Sequence, residues 1–522
     1  MALLDPDQQR VARAIGKLTF GNPFVAERIE LEREVLGDRF VPGQTAWSLD
    51  PGPSAENPNV VAINQVAESL LAFARQRLLA TSSLSTTDRE LYEGLVIYVL
   101  YYRCEDALYR EIADPQVGAG QTGIPALFAS FRRDFARFFE VAPHRDLAHE
   151  TPEQLFALLF QHRRAFQFTF RHIFGSSPPA AALRTAVWES IFTHDMQRYR
   201  RGLYSRMHEL ATLITGPSGT GKELAAQAIG MSRFIPFDGE RKEFLADYRV
   251  TFQPLNLSAL SPTLIESELF GHQKGAFTGA VASRQGYLDR SEPWATVFLD
   301  EIGETDASVQ LKLLRVLQTR EFQKLGENRA RRFGGKIIAA TNVNLADEIA
   351  AGRFRADLYF RLCSDLITMP SLEQQIRAQP DELHNLVGLV AERVLGADSG
   401  PAVAEEVVSF IDRELGHDYP WPGNMRELEQ CVRNVLVRKE YRPPQPSRTA
   451  FDDADPGTAL VAEICRGDLT AEEVLSRYCT LVYAKQGSYE ASARKLHLDR
   501  RTVKQKVDPV LLRALQERGG AT

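Results

Sequence analysis

A glycine-rich turn between an apolar strand and a helix constrains this chain more than any other feature. Ala211–Thr215 is a short apolar run, and Gly216-Pro217-Ser218-Gly219-Thr220-Gly221-Lys222-Glu223 follows it and opens a helical segment, Glu223–Gly230. Glycines in such a loop let backbone N–H groups turn toward an anion at the positive end of the helix dipole. Lys222 adds a point charge where β- and γ-phosphates would meet, so the eight residues predict a polyphosphate cradle. Glu223 stands where the general pattern has Ser or Thr for Mg²⁺, so metal ligation must lean more on water and other acids.

The surrounding residues fit the parallel sheet that such a loop requires. Val250–Leu255, Thr296–Leu299 and Lys336–Ala340 are short apolar runs alternating with helical segments up to about residue 438, the pattern of an α/β fold. Val297-Phe-Leu-Asp300-Glu301 brings two acids to a strand's carboxyl end, where open α/β sheets bind ligands. Asp300 would hold Mg²⁺, directly or through water, and Glu301 would polarise an attacking water. Thr341 and Asn342, at the tip of another strand, could sense a γ-phosphate.

At 522 residues the chain needs several domains. We expect a helical region over 1–183, an α/β subdomain over 184–370, a helical lid over 371–440, a linker over 441–467 and a small helical module over 468–522. In the first region Phe128, Phe131, Phe135, Phe138 and Phe139 recur at helical spacing, and Asn59–Ala80, Ser85–Ala113 and Thr151–Phe174 look similar. Core packing explains these aromatics, and an aromatic ligand pocket is the alternative. His144, His149, His162 and His172 have no metal-site spacing. Tyr441–Thr458 holds prolines and acids without periodicity, as linkers do.

Composition excludes several classes. The longest uncharged apolar run, Gly94–Tyr102, is too short to span a membrane. Five scattered cysteines without a Cys-x-x-Cys pair read as reduced thiols, and Asp5 and Asp7 replace the basic start of an export signal, so a cytoplasmic location is expected. The net charge of −6 excludes a chain basic throughout but not one basic module. Such a module lies at the end: Glu472–Lys485, Ser488–Leu496 and Asp499–Val507 read as three helices, and residues 488–518 carry a local excess of Lys and Arg. His497 occupies the turn between the last two, a residue type that tolerates left-handed backbone better than a β-branched one.

Further motifs resemble one family closely. Glu266-Ser-Glu-Leu-Phe-Gly-His272, the hexapeptide Gly275-Ala276-Phe277-Thr278-Gly279-Ala280, Phe298-Leu-Asp-Glu-Ile-Gly-Glu304, Gly352-Arg-Phe-Arg-Ala-Asp-Leu358 and Trp421-Pro-Gly-Asn-Met-Arg-Glu-Leu428 resemble the sigma-54-interacting AAA+ domain of bacterial enhancer-binding proteins. The resemblance runs from about Thr212 to Val437. It implies Walker roles for Lys222, Asp300 and Glu301, with ATP and Mg²⁺ as cofactors. It further implies an Asn256 that pairs with the catalytic glutamate, a first sensor in Thr341 and Asn342, and a second sensor in Arg426. Arg355 and Arg361 match arginines that reach a neighbouring subunit's nucleotide, so a ring is implied, a hexamer as in the family. Gly275–Ala280 would contact sigma-54.

The last helices resemble a Fis-type helix-turn-helix, which puts Arg500, Arg501, Thr502, Lys504, Gln505 and Lys506 toward upstream double-stranded DNA. The chain thus reads as an ATP-dependent activator that remodels sigma-54 RNA polymerase holoenzyme. The alternatives are an ATPase remodelling another protein, with the last helices for oligomerisation, and a DNA-binding repressor with a vestigial ATPase. Two stretches depart from the family pattern: Pro370-Ser-Leu-Glu-Gln-Gln375, and a long, charged Gly239–Tyr248. No phosphoreceiver pattern occurs in residues 1–183, so the signal stays open.

Overall fold

The apolar run before the glycine loop is strand β1 (Thr212–Thr215), buried between parallel neighbours. With β2 (Phe252–Asn256), β3 (Thr296–Asp300), β4 (Lys336–Thr341) and β5 (Asp365–Thr368) it forms a five-stranded parallel sheet ordered β5-β1-β4-β3-β2. β4 is buried at every position, as expected for a strand covered on both faces. The register pairs Thr215 with Thr341 and Asn256 with Asp300, so the strands deliver their polar tips to one edge. The structure, a computed structural model, describes residues 2–42, 57–113, 123–144, 146–396, 399–416, 418–443, 460–461, 464, 469–509, 511–512 and 515. Most of the expected linker lies outside the described residues.

Among the described residues eight α-helices precede the glycine loop: α1 (Pro6–Phe20), α2 (Glu27–Leu36), α3 (Pro58–Leu79), α4 (Thr86–Ala113), α5 (Ile124–Phe139), α6 (Pro152–His172), α7 (Pro178–Phe192) and α8 (Met196–Arg201). Several start on sequence-coded caps. Asp5 with Gln8 makes a capping box, and Thr151 accepts from the Gln154 N–H. The five α5 phenylalanines are all buried, as their spacing predicts.

The loop then opens α9 (Lys222–Gly230), and α10 (Pro262–Phe270), α11 (Tyr287–Arg290), α12 (Ala307–Thr319), α13 (Leu345–Ala350) and α14 (Ala356–Leu362) follow between strands. The lid consists of α15 (Leu372–Ala378), α16 (Glu382–Leu395), α17 (Gly400–Glu414) and α18 (Asn424–Arg438). The expected class, a parallel sheet wrapped by helices with a helical lid and an all-α amino-terminal region, is the observed one.

The expected boundary at 183/184 falls inside α7. One buried cluster extends from Leu3 and Phe24 through Phe156 and Trp188 to Ile214, Ala225, Ile229, Phe298 and Ile338 on one face of the sheet. The opposite face carries its own core, with Leu213, Val297, Leu299 and Ile337 under α10, α12 and α14. The long stretch around Gly239–Tyr248 has a packing role. Phe237 and Phe244 pair across a short hairpin and insert among Phe128, Phe156 and Phe160, while Tyr248 packs on Phe160 and Phe168. Its charged residues Glu240, Arg241, Lys242 and Glu243 are exposed. Aromatic contacts of this kind contribute ~0.5–1.5 kcal/mol each beyond their buried area.

Residues 1–440 form one compact unit and 441–522 another. In the second, α19 (Ala471–Gln486), α20 (Tyr489–Leu496) and α21 (Arg500–Lys506) enclose a small core of Cys479, Ala493, Val503 and Val507. His497 takes the left-handed conformation, φ 52°, at the turn between α20 and α21.

The shared core predicts that a chain beginning at Pro178 is destabilised, because the outer side of α9 and the aromatic hairpin lose their cover. Melting should drop and hydrophobic-dye binding rise relative to the full chain; an unchanged melt would refute the shared core. Burial pushes the His162 imidazole down to about 3 and His172 down to about 4. Stability contributed by these groups is full above their unfolded value of ~6.5 and is lost as pH falls toward 4, because the unfolded chain binds protons the folded one refuses. Thermal melts between pH 7.5 and 4.5 should show this loss, and His162→Phe should flatten it.

Candidate functional site

The loop after β1 is shaped by close approach as much as by flexibility. Gly216 (φ +147°) and Gly219 (φ +79°) hold left-handed backbone, and a Cβ on Gly219 would sit 2.2 Å from the Gly423 carbonyl oxygen of the lid. Gly221 (φ +89°) is the N-cap of α9. Pro217 contributes no N–H to the loop. Lys222 folds back, its Nζ donating to the Gly216 and Pro217 carbonyls at 3.0 and 3.2 Å, and Thr220 Oγ1 donates to Pro217 at 2.9 Å. Burial lowers the Lys222 pKa, against the opposing pull of the Glu301 and Asp300 carboxylates.

The acid pair ends β3 beside this loop. Glu301 is left-handed (φ 57°), which swings it away from the strand path, and its N–H donates to Asp300 Oδ1 at 3.0 Å. Burial, then the neighbouring Asp300 charge, raises the Glu301 pKa, while Lys222 lowers it. Asn342 N–H donates to Glu301 Oε2 at 3.4 Å, and buried Thr341 accepts the Val343 N–H. Asn256 lies on the same cleft wall, but its Oδ1 accepts from Ser258 Oγ and the Ala259 N–H, closing its own turn.

Asn256, Asp300 and Glu301 line a cleft of about 400 Å³ together with Ser218, Gly219, Thr220, Gly221, Lys222, Glu223 and Arg426, whereas Thr341 and Asn342 stand behind Glu301 and outside the cleft lining. The Arg426 guanidinium donates to Ser218 Oγ at 3.4 Å. Arg355 and Arg361 stand apart from it: both are exposed around α14, and Arg355 pairs with Asp357 at 2.7 Å.

Sequence reasoning missed the rest of the wall. Asn424, at φ 53°, donates to the Ser218 carbonyl at 3.0 Å and accepts the Leu372 N–H at 2.8 Å, joining loop and lid through one amide. Ile173, Phe174 and Leu183 from the amino-terminal region face Leu386, Leu389 and Val390 of the lid. Arg393 lies 3.9 Å over the Phe174 ring, and the Glu382 carboxylate accepts from the Ser176 N–H and hydroxyl and the Ser177 N–H at 2.8–3.1 Å. The available signal was Gly175-Ser-Ser-Pro178, a turn that stops α6 at the cleft.

The residues fit a nucleotide and Mg²⁺. A Cβ at 216 would collide with Met369 and one at 219 with the Gly423 carbonyl, so glycine there lets Met369 and the lid approach the loop, and the apolar wall faces it across the cleft. Among the described residues no cluster of three or more His, Cys, Asp or Glu could hold a metal alone. Asp300 would therefore share Mg²⁺ with phosphate oxygens and water, as this ion prefers.

Two further surfaces were expected. In Gly275–Ala280 the glycines have φ +82° and +101° with open space around them, so conformation and not crowding selects glycine. Thr278 is exposed, whereas Phe277 packs edge-on against His272 at 5.0 Å. On α21, Arg501, Lys504 and Gln505 are exposed and Thr502 is half-buried. Arg500 pairs with Glu490 at 2.9 Å, and Lys506 with Glu472 at 2.6 Å.

Residues 193–368 match the sigma-54 interaction domain. The anaerobic nitric oxide reductase transcription regulator NorR of Vibrio vulnificus (strain YJ016) is 35% identical over 308 residues, 56% of each chain. The Nif-specific regulatory protein of Azotobacter vinelandii is 41% identical over 228 residues, 44% of this chain and 40% of that one. The transcriptional regulatory protein ZraR of Klebsiella oxytoca is 36% identical over 303 residues, 56% and 62%. This chain thus spans about half the length of the curated relatives it matches. No helix among the described residues is long and apolar enough to cross a membrane.

Asn424→Gly should keep the left-handed backbone and remove only the amide bridge. Nucleotide affinity, measured by fluorescent-nucleotide titration, is expected to fall about tenfold, and melting to drop as well because the buried Leu372 N–H loses its acceptor; unchanged affinity would remove the bridge from the site. Strand order, glycine loop and acid pair converge with the family match, and residues 193–368 of this chain carry a sigma-54 interaction domain.

Proposed function

We propose that the chain is an ATP-driven transcription activator that binds upstream DNA and remodels sigma-54 RNA polymerase holoenzyme. The observation that carries this reading is a Gly275–Ala280 loop exposed at Gly275, Thr278 and Gly279 on the same subunit as the glycine loop and acid pair. Bound Mg²⁺ would offset phosphate charge. Lys222 would leave the loop carbonyls for the β- and γ-phosphates, Asp300 would hold the metal, and Glu301 would polarise the attacking water.

Arg355 and Arg361 lie outside their own cleft, which supports donation to a neighbouring subunit in a ring. An arginine supplied in trans contributes ~10³–10⁵ in rate in related phosphoryl-transfer sites. We assign α20 and α21 as the DNA-reading pair, with Arg501, Lys504 and Gln505 toward the groove. Arg500 and Lys506 would have to leave Glu490 and Glu472 to join them.

Thr278→Ala should retain ATP hydrolysis and abolish transcription from a sigma-54 promoter, whereas Glu301→Gln should bind ATP and lose hydrolysis. Removing residues 468–522 should spare hydrolysis and eliminate specific DNA binding. Wild-type ATP hydrolysis without activation of a sigma-54 promoter would favour the reading in which another protein is remodelled.

A further inference from the structure

The turn between α6 and α7 is held from two directions by buried charges. From α7, the Arg184 guanidinium donates to the Ile173 carbonyl at 3.3 Å and to the Gly175 carbonyl. From the start of α16 in the lid, the Glu382 carboxylate takes the donors of the turn. Its Oε2 accepts from the Ser176 N–H at 2.8 Å and hydroxyl at 2.9 Å, and its Oε1 accepts from the Ser177 N–H at 3.1 Å. The Ser176 hydroxyl accepts in turn from Gln379 Nε2 at 2.9 Å and Asn385 Nδ2 at 3.1 Å, so three lid side chains converge on one serine. Arg184 and Glu382 are both fully buried. Burial lowers the Arg184 pKa to about 10, and the Glu382 charge opposes that fall.

This contact needs glycine at its centre. Gly175 has φ +105°, and a Cβ there would stand 2.1 Å from Glu382 Oε1 and 3.2 Å from Gln375 Oε1. The two residues just before the turn face the ligand: Ile173 and Phe174 line the cleft together with Leu386, Leu389 and Val390 of α16. Farther along the same helix, Arg393 lies 3.9 Å over the Phe174 ring. One lid helix therefore grips this segment twice, by its backbone through Glu382 and by its ring through Arg393. Buried, paired charges contribute little net stability, so what such a grip fixes is geometry. The glycine loop lies across the cleft, so a ring carried on a phosphate chain held there would meet Ile173 and Phe174.

We propose that Glu382 is a positioning residue for the base half of the nucleotide site: it clasps the Gly175–Ser177 turn to the lid and so holds Ile173 and Phe174 as the wall on which the ring of a bound nucleotide rests. The phosphate half does not depend on this clasp. It is seated on β1 and α9 and has its own tie to the lid, the Asn424 amide on the Ser218 carbonyl. Movement of the lid therefore carries the base wall with it, and affinity for the nucleoside part, not for the phosphate chain, follows the state of the clasp. The inference rests on the nucleotide-binding reading above.

The test is calorimetric titration of the full chain with ATP and with inorganic tripolyphosphate, which carries the phosphate chain without the base. Glu382→Gln keeps the side-chain shape but turns one acceptor into a donor facing the turn's own donors. It should weaken ATP about tenfold and leave tripolyphosphate unchanged. Ser176→Ala, which spares both buried charges, should weaken ATP less and with the same selectivity. In a Phe174→Ala background, where the wall is already lost, Glu382→Gln should cost ATP nothing further. Parallel loss of both ligands would reveal a general loosening and overturn the proposal while leaving the phosphate cradle in place. Unchanged ATP affinity in both variants, or full additivity with Phe174→Ala, would overturn it equally. A wild-type chain that binds neither ligand would instead refute the nucleotide reading itself, and the clasp would fall with it.

Discussion

The burial of α9 on two sides is the constraint on which the rest of the structure depends. Ala225, Ala226, Ala228 and Ile229 are fully enclosed, and small side chains let this helix seat closely on the sheet while α6 and α7 cover its outer flank. The glycine loop is the start of that helix, so its position is inherited from core packing on both sides. Protein interiors transmit small displacements because they are close-packed. A phosphate cradle built on such a helix has little freedom of its own, and this fixes where Lys222 can reach.

Electrostatics is deployed differently in the two compact units. The first buries several ion pairs, including Arg163 with Glu105 and Arg200 with Glu93 and Glu150. Burying paired charges contributes little net stability, yet losing one partner is costly, so these pairs discriminate between packing arrangements more than they strengthen any. Burial likewise pushes Lys336, at the foot of β4, down to about 7, although its Nζ donates to the Leu210 carbonyl at 2.7 Å. Among the described residues of the second unit the ion pairs Arg500–Glu490 and Lys506–Glu472 lie at the surface, where such pairs contribute little and cost little to break.

Local chemistry was legible in the sequence and long-range chemistry was not. The strand before Gly216, the acids after Leu299 and the left-handed His497 each follow from residues adjacent in the chain. Asn424 escaped because its partners, Ser218 and Leu372, are distant in sequence. Ile173 and Phe174 look like the end of a helix in an unrelated region until the lid closes over them. The aromatic spacing of α5 showed that a core existed there, but not that Phe237 and Phe244 complete it from beyond the glycine loop. Charged residues between those phenylalanines masked a packing element as a solvated insertion.

The continuous core has an evolutionary consequence. A recombination that replaced residues 1–183 would cut through α7 and strip aromatic cover from the sheet module, so the incoming segment would have to match buried side chains on α9 and on the hairpin around Gly239. A cut after residue 440 separates two units that each enclose their own core. Descent should therefore show frequent exchange of the carboxyl-terminal module, while the amino-terminal helices travel with the parallel-sheet module as a single heritable block.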